Sequence, residues 1–259
     1  LNIFLMNWIK RLNVHFFWLS YFLQFQPVFG QAELFEFEYG GLNREYYLYV
    51  PDSIPNEAPL VFVFHGFTGS AYSIMNYSGM NDIASNKNFV VCYPQGTFDN
   101  NGNSFFNVGY DFHQNQNVDD AGFITELANY LHIQYRLSPI NTFATGMSNG
   151  GELCYLMACQ NSNVFRSIAP VAGTMMDWFF QICQPDNPTS VLEIHGTNDQ
   201  VTWWGGDPEN NGGWGVYLGV DQIIQFWSHI NLCNIQEIDT LPDISLTDGS
   251  YIISEKNID

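Results

Sequence analysis

Basic residues are scarce in this sequence. Lysine and arginine together number 7 against 26 aspartates and glutamates, which gives a formal net charge of −19. A surface with this balance repels phosphate backbones, so the composition argues against nucleic acid as a partner. The 259 residues, 46% of them apolar, suit a globular domain with a sizeable core.

The cysteines lack the spacing of a metal site. The five are Cys92, Cys154, Cys159, Cys183 and Cys233, without a Cys-x-x-Cys pair or a cluster that includes histidine. A zinc site therefore has no support, and no metal is expected. An odd number of cysteines leaves at least one thiol without a disulfide partner.

Long apolar runs are also missing. The apolar segment at residues 16–25 has about 10 residues, which is half of what a bilayer-spanning helix needs. It follows Lys10 and Arg11, and small residues precede position 31. This pattern predicts a signal peptide within residues 1–30, with the true start at Met6, and hence a secreted protein, extracellular or periplasmic, without stable membrane insertion. An uncleaved membrane anchor is the alternative.

Short apolar runs that end in glycine or proline alternate with segments of helical periodicity. This order predicts an α/β fold with a mostly parallel sheet covered by helices on both faces. The active site of such a sheet lies at the carboxyl ends of its strands. Two loops rich in asparagine and glycine, residues 97–120 and 203–215, are long enough to be active-site loops. The predicted strands are 44–51, 59–66, 89–96, 140–146, 167–173 and 190–196, and the predicted helices are 119–135 and 219–230.

The segment TGMSNGG, residues 145–151, contains the pattern Gly-x-Ser-x-Gly between a predicted strand and a predicted helix. In that context the serine lies on a tight turn with its hydroxyl exposed, which makes Ser148 a candidate nucleophile. Side chains at Gly146 and Gly150 would clash with the neighbouring strand and helix. The alternative is a helix start that Ser148 caps.

A serine nucleophile needs two N–H groups that stabilise the developing oxyanion. The residue after the nucleophile, Asn149, supplies one candidate. The loop HGFTGS after the strand at 59–66 supplies the other, at Phe67. His65, at the end of that strand, is interpreted as structural rather than as a base.

The acid that orients a catalytic histidine is expected after a later strand. The segment EIHGTNDQV places Asp199 four residues beyond His195, where the predicted strand ends. Asp177, Asp207 and Asp221 are the other candidates, but none of them directly follows a predicted buried strand.

Seven segments resemble, in their order, secreted esterases of the polyhydroxybutyrate depolymerase and feruloyl esterase group. They are FHGFTGS, YPQG, VDDAGFI, GMSNGG, APVAG, IHGTND and WWGGD, and the resemblance runs from about Arg44 to the C-terminus. It implies an α/β-hydrolase fold, no cofactor, and the order Ser, Asp, His for the catalytic residues. It also implies a serine carboxylic ester hydrolase that forms an acyl-enzyme from a polyester or a plant or algal polysaccharide ester.

The histidine departs from the pattern of this family. Only His229 follows Asp199, and it lies inside a predicted helix, where packing or a solvated surface explains it. The catalytic histidine is therefore expected beyond residue 259. On this interpretation residues 31–259 are a catalytic domain truncated at its C-terminus, without the last strand and helix.

Two other functions stay open. A serine peptidase of the same fold would share the serine turn. A non-catalytic carbohydrate-binding protein would use the tryptophans of the second loop to stack on sugars. In an esterase, Trp203 and Trp204 are the candidate substrate-binding residues, and they favour a flat or ring-bearing group.

Overall fold

The computed structural model describes residues 30–245 and 247–258, so residues 1–29 of the predicted leader lie outside the described residues. The strands are β1 (Ala32–Tyr39), β2 (Leu42–Tyr49), β3 (Leu60–Phe64), β4 (Val90–Pro94), β5 (Thr97–Phe98), β6 (Ser104–Phe105), β7 (Thr142–Met147), β8 (Phe165–Val171), β9 (Ser190–Val191), β10 (Gly206–Asp207), β11 (Tyr217–Leu218), β12 (Ile235–Thr240) and β13 (Ile253–Ile258). The helices are α1 (Ala71–Ser78), α2 (Met80–Lys87), α3 (Asp120–Tyr135), α4 (Asn149–Gln160), α5 (Asp177–Phe180) and α6 (Val220–Ile230), with a short 3₁₀ helix at Asp111–His113.

Seven strands form the central sheet, in the order β1-β2-β4-β3-β7-β8-β9. The pairs from β4 to β9 are parallel, while β1 and β2 pair antiparallel at one edge. The predicted α/β architecture with a mostly parallel sheet is confirmed. The strands β12 and β13 form a separate antiparallel pair.

Alternate side chains of β3 point to opposite faces of the sheet and are buried on both. Phe62 and Phe64 pack into a large core together with residues of α3, α4 and α6. Val63 points the other way, into a smaller core with residues of α1 and α2. Helices therefore cover both faces, and this explains why the predicted strand at 59–66 is apolar without alternation.

Two edges of the sheet differ from the sequence prediction. The strand β1 was not predicted, although its residues alternate between half-buried and exposed and Gly40 and Gly41 form a two-residue hairpin turn with positive φ before β2. The predicted strand at 190–196 was too long, because β9 covers only Ser190–Val191, with one further bridge from Ile194 to Val171. Among the described strands, β9 lies at the edge of the sheet and pairs with β8 alone.

One disulfide joins Cys159, near the end of α4, to Cys183, just beyond α5. Cys92 and Cys154 are buried free thiols, and Cys233 is half-buried and free. Within residues 30–245 and 247–258, no helix combines the length and the apolar character needed to cross a bilayer.

Candidate active site

Ser148 occupies the turn between β7 and α4, at the carboxyl end of the central strands. Its backbone has φ 54° and ψ −118°, a region that residues other than glycine adopt only under strain. The Ser148 N–H donates to the carbonyl of Val171 in β8 at 2.8 Å, which anchors the turn to the sheet. The strand, tight turn and helix predicted around the motif are therefore present.

The two motif glycines allow the close contacts of this turn. A Cβ at Gly146 would lie 2.5 Å from the carbonyl oxygen of Gly150. A Cβ at Gly150 would lie 2.6 Å from the carbonyl oxygen of Phe64 and 2.7 Å from that of His65. Real Cβ atoms do not approach backbone this closely, so the steric reason predicted for both glycines is confirmed.

The loop after β3 passes directly beside the nucleophile turn. A Cβ at Gly66 would lie 3.6 Å from the Cβ of Ser148, and Phe67 is the next residue. Within the described part of the chain, the N–H groups of Phe67 and Asn149 donate to no protein acceptor. Both candidate oxyanion donors thus lie in segments that flank Ser148, with their N–H groups unused.

Asn149 also holds the turn through its buried side chain. Its Oδ1 accepts a hydrogen bond from the Phe106 N–H at 2.8 Å, and its Nδ2 donates to the Phe106 carbonyl at 3.0 Å. This pair of bonds fixes the first residue of α4 to the loop at residues 97–120.

His65 links two loops and is buried. Its Nδ1 lies 2.8 Å from the Gly66 carbonyl, and its Nε2 accepts from the Gly96 N–H at 3.0 Å. Burial lowers the pKa of this imidazole to about 4, so the ring is neutral near pH 7. These contacts agree with the structural role inferred from the sequence.

Asp199 lies in a tight loop after β9. Its Oδ1 accepts hydrogen bonds from the Val201 N–H at 2.7 Å and the Thr202 N–H at 3.0 Å. Its Oδ2 lies 3.9 Å from Nε2 of His195. Of the other candidate acids, Asp207 is buried with its oxygens bonded to backbone N–H groups, and Asp221 accepts from the indole of Trp204.

Ser148 and the loop that carries Asp199 line one small pocket. The residues around it are Tyr110, Ser148, Glu152, Val201, Thr202, Trp214 and Tyr217. Both predicted active-site loops contribute to this pocket, the first through Tyr110 and the second through Trp214. The structure therefore brings Ser148 together with the residues that Asp199 holds in place.

Trp203 and Trp204 lie outside this set of lining residues. The Trp203 indole donates to the Gln200 carbonyl at 3.2 Å, and the Trp204 ring packs edge-on against His195 with 6.0 Å between centroids. Trp214, from the same loop, is the tryptophan on the Ser148 pocket. Three tryptophans in one loop do not reveal from sequence which of them turns toward the nucleophile.

Glu152 is a pocket residue that the sequence analysis missed. It lies one helical turn beyond Ser148 on α4, and the Tyr110 hydroxyl donates to its Oε2. Burial raises the pKa of Glu152 to about 7. The spacing of four residues from Ser148 is the only sequence signal, because positions i and i+4 share a helix face.

Four aromatic rings form a cluster beside the pocket, which we call the aromatic wall: Phe67, Tyr110, Phe112 and Trp214. The Phe67 centroid lies 5.6 Å from that of Trp214 and 5.8 Å from that of Phe112, and Tyr110 lies 5.1 Å from Trp214. Phe112 is 51% exposed, so the wall reaches the surface. Of the three loops that carry the wall, those at residues 97–120 and 203–215 are joined by Asp111, whose Oδ2 accepts from Nδ2 of Asn210 at 2.5 Å.

The remaining histidines are engaged elsewhere or exposed. His113 pairs with Asp99 at 3.2 Å, and His132 bonds to Thr142 at 2.7 Å. His195 bonds to Glu193, and His229 is exposed in the last turn of α6. Among the described residues, no imidazole makes a hydrogen bond to Ser148.

Comparisons with known proteins give a family and a fold. The chain is 26% identical over 230 residues to poly(3-hydroxyalkanoate) depolymerase C of Paucimonas lemoignei, covering 81% of this chain and 52% of that protein. It is 29% identical over 168 residues to feruloyl esterase C of Emericella nidulans, covering 61% and 56%. The chain thus spans about half the length of these curated relatives.

Among solved structures, the carboxylesterase of Bacillus cereus matches with a TM-score of 0.53 at 15% identity, over 73% of this chain and 81% of that one. A structure described as a thermostable esterase matches with a TM-score of 0.51 at 16% identity, over 77% and 52%. These likenesses show the α/β-hydrolase fold. The profile of the esterase PHB depolymerase family matches residues 44–180, more than half of the chain, and the chain belongs to that family.

Proposed function

We propose that this protein is a serine carboxylic ester hydrolase that works through an acyl-enzyme. The observation that carries the proposal is Ser148, on a strained strand-to-helix turn between the unused N–H groups of Phe67 and Asn149. Membership of the esterase PHB depolymerase family supports it independently.

In this mechanism, Ser148 Oγ attacks the ester carbonyl while a base takes the hydroxyl proton. The N–H groups of Phe67 and Asn149 stabilise the oxyanion of the tetrahedral intermediate. The intermediate collapses when the base returns the proton to the departing alcohol oxygen. Water then attacks the acyl-enzyme with help from the same base, and the carboxylic acid leaves as Ser148 regains its proton.

The base is the one group that the described residues do not supply. We propose a histidine from beyond residue 259, oriented by Asp199. The geometry of Asp199 supports this role, because its Oδ1 accepts two backbone N–H groups and fixes the carboxylate, while no described residue donates a hydrogen bond to its Oδ2. The engagement of His65, His113, His132 and His195 with other partners supports it as well.

The substrate we propose is a polyester or a plant or algal polysaccharide ester. The aromatic wall supports this class, since its rings offer an apolar surface next to Ser148 for a ring or an alkyl chain. The surface charge favours a neutral substrate over an anionic one. No cofactor and no nucleic acid takes part.

We further propose that the protein is secreted and that residues 31–259 form its catalytic domain. The leader pattern in residues 1–30 supports export. The disulfide between Cys159 and Cys183 supports it too, because such bonds persist in oxidising compartments.

The test uses protein expressed from its full coding sequence. Aryl esters and feruloylated or acetylated oligosaccharides should be hydrolysed, and matched peptide substrates should not. Cleavage of peptides with no turnover of esters would replace the esterase with a serine peptidase. A protein that turns over neither, yet binds oligosaccharides, would be the carbohydrate-binding alternative.

A further inference from the structure

We propose that His195 is a positioning residue whose ring, protonated on both nitrogens, holds the loop of Asp199 in its working conformation. The inference rests on the proposed function, since it assigns a role toward the proposed acid. It concerns an imidazole outside the Ser–His–Asp set itself.

The partners of the ring set its protonation. His195 Nδ1 lies 2.9 Å from Oε1 of Glu193, and Nε2 lies 2.8 Å from the carbonyl oxygen of Thr202. An ionised carboxylate and a carbonyl only accept hydrogen bonds, so both ring nitrogens donate when Glu193 is ionised. The His195 side chain is fully buried, where two unsatisfied nitrogens would be costly.

These contacts close the loop of residues 196–202. Thr202 is bonded twice, because its N–H donates to Asp199 Oδ1 while its carbonyl accepts from His195. The Asp199 N–H donates to the Gly196 carbonyl at 3.1 Å. The imidazole therefore bridges the start of the loop to its end, and Asp199 is fixed between them.

A charged ring at this place has two carboxylates as neighbours. Glu193 is the nearer one, and Asp199 Oδ2 lies 3.9 Å from Nε2. The Tyr155 hydroxyl, from α4, donates to the other oxygen of Glu193 at 2.6 Å. Burial raises the pKa of the Cys154 thiol, and the charge of Glu193 raises it further. The edge of Trp204 completes the surroundings of His195.

Burial opposes the charge on His195, but the hydrogen bonds to Glu193 and Thr202 outweigh it and raise the pKa of the ring. Burial likewise raises the pKa of Glu193, while the His195 bond lowers it. The competing arrangement is a neutral ring whose Nδ1 accepts a hydrogen bond from a protonated Glu193. Nitrogen chemical shifts distinguish the two.

The first experiment measures the ¹⁵N shifts of the imidazoles at pH 7 in protein expressed from its full coding sequence, with His195→Gln used to assign the signal. Both His195 nitrogens should lie in the protonated range. A shift typical of an unprotonated Nδ1 would overturn the proposal. This measurement needs no enzyme activity, so it stands apart from the esterase assignment.

The second experiment compares His195→Gln, His195→Ala and the exposed control His229→Gln. A glutamine can still donate an N–H toward the Thr202 carbonyl, so it should retain most of the kcat. Alanine removes the hydrogen bond from the ring to the Thr202 carbonyl, so the loop can shift and displace Asp199. This displacement should lower kcat about 100-fold with KM changed less than threefold.

Equal kcat for the glutamine and alanine variants would overturn the positioning role. So would a loss that appears in KM rather than in kcat. If His195→Ala fails to fold, the glutamine variant and the ¹⁵N shifts still decide the matter. If Ser148→Ala leaves ester turnover intact, the proposed function fails instead, whatever the His195 shifts show.

Discussion

Gly146 and Gly150 approach each other so closely across the Ser148 turn that a methyl group on Gly146 would lie 2.5 Å from the Gly150 carbonyl oxygen. Gly146→Ala should therefore lower the free energy of unfolding by about 1–3 kcal/mol through overpacking, and should reduce ester turnover as the turn shifts. Denaturant unfolding and a 4-nitrophenyl ester assay check both effects. Gly205→Ala is the matched control, since nothing lies within 4 Å of its Cβ position. Equal stability of the two variants would contradict the steric account.

Glu152→Gln should change the pH dependence of stability. Because burial raises the pKa of Glu152 to about 7, the folded protein binds this proton more tightly than the unfolded chain does. Its contribution is present in full below pH 4.5 and is lost as the pH rises to about 7, a change of about 3 kcal/mol. Glutamine does not titrate and can still accept the Tyr110 hydrogen bond.

The measurement is the free energy of unfolding of both proteins between pH 4.5 and 7.5. As the pH rises over this range, the free energy of unfolding of Glu152→Gln should increase relative to that of the wild type, by the amount that the wild type loses through Glu152. Glu209→Gln, a change at an exposed glutamate of the second loop, is the control. Parallel pH curves for Glu152→Gln and wild type would show that the Glu152 carboxyl does not hold its proton in the folded state.

Arg44→Met should destabilise the protein by about 3–5 kcal/mol, because it leaves a buried carboxylate without its cation. Arg44 Nη2 lies 2.5 Å from Oδ1 of Asp120, and the guanidinium lies 4.0 Å above the Phe123 ring. Combining it with Asp120→Asn should recover part of the loss. Thermal unfolding of both single variants and the double variant forms the cycle, and strictly additive losses would show that the pair is not coupled.

His229→Ala should leave ester turnover nearly unchanged. The side chain is exposed in the last turn of α6, and none of its described contacts reaches Ser148. Steady-state kinetics on an aryl ester check this. A loss as large as that of Ser148→Ala would make His229 the base and would remove the need for a histidine beyond residue 259.

Local sequence patterns were enough to predict the central sheet and the site residues that lie in sequence motifs. The apolar runs gave six strands of the sheet, and the glycines around Ser148 gave the turn. The strand β1 could also have been predicted, since apolar and charged residues alternate from Phe35 to Tyr39 and the pair Gly40–Gly41 follows.

Contacts between residues that lie far apart in the sequence could not be predicted from local patterns. Tyr110 forms a hydrogen bond with Glu152, which lies 42 residues later in the sequence. The two loops contact each other at Asp111 and Asn210 because the packed sheet brings them together. The orientation of Trp214, rather than Trp203 or Trp204, toward Ser148 depends on the same packing. Nothing in residue types or spacing encodes which indole faces the pocket.

The most direct test of the central claim is covalent labelling of protein expressed from its full coding sequence with a fluorophosphonate, followed by mapping of the modified peptide. A serine nucleophile reacts with this probe only when a base and an oxyanion hole activate it. We predict stoichiometric labelling at Ser148 in the wild type and none in Ser148→Ala, whose ester turnover should fall below about one part in a thousand of the wild-type rate. Labelling at another residue, or ester turnover that survives in Ser148→Ala, would contradict it.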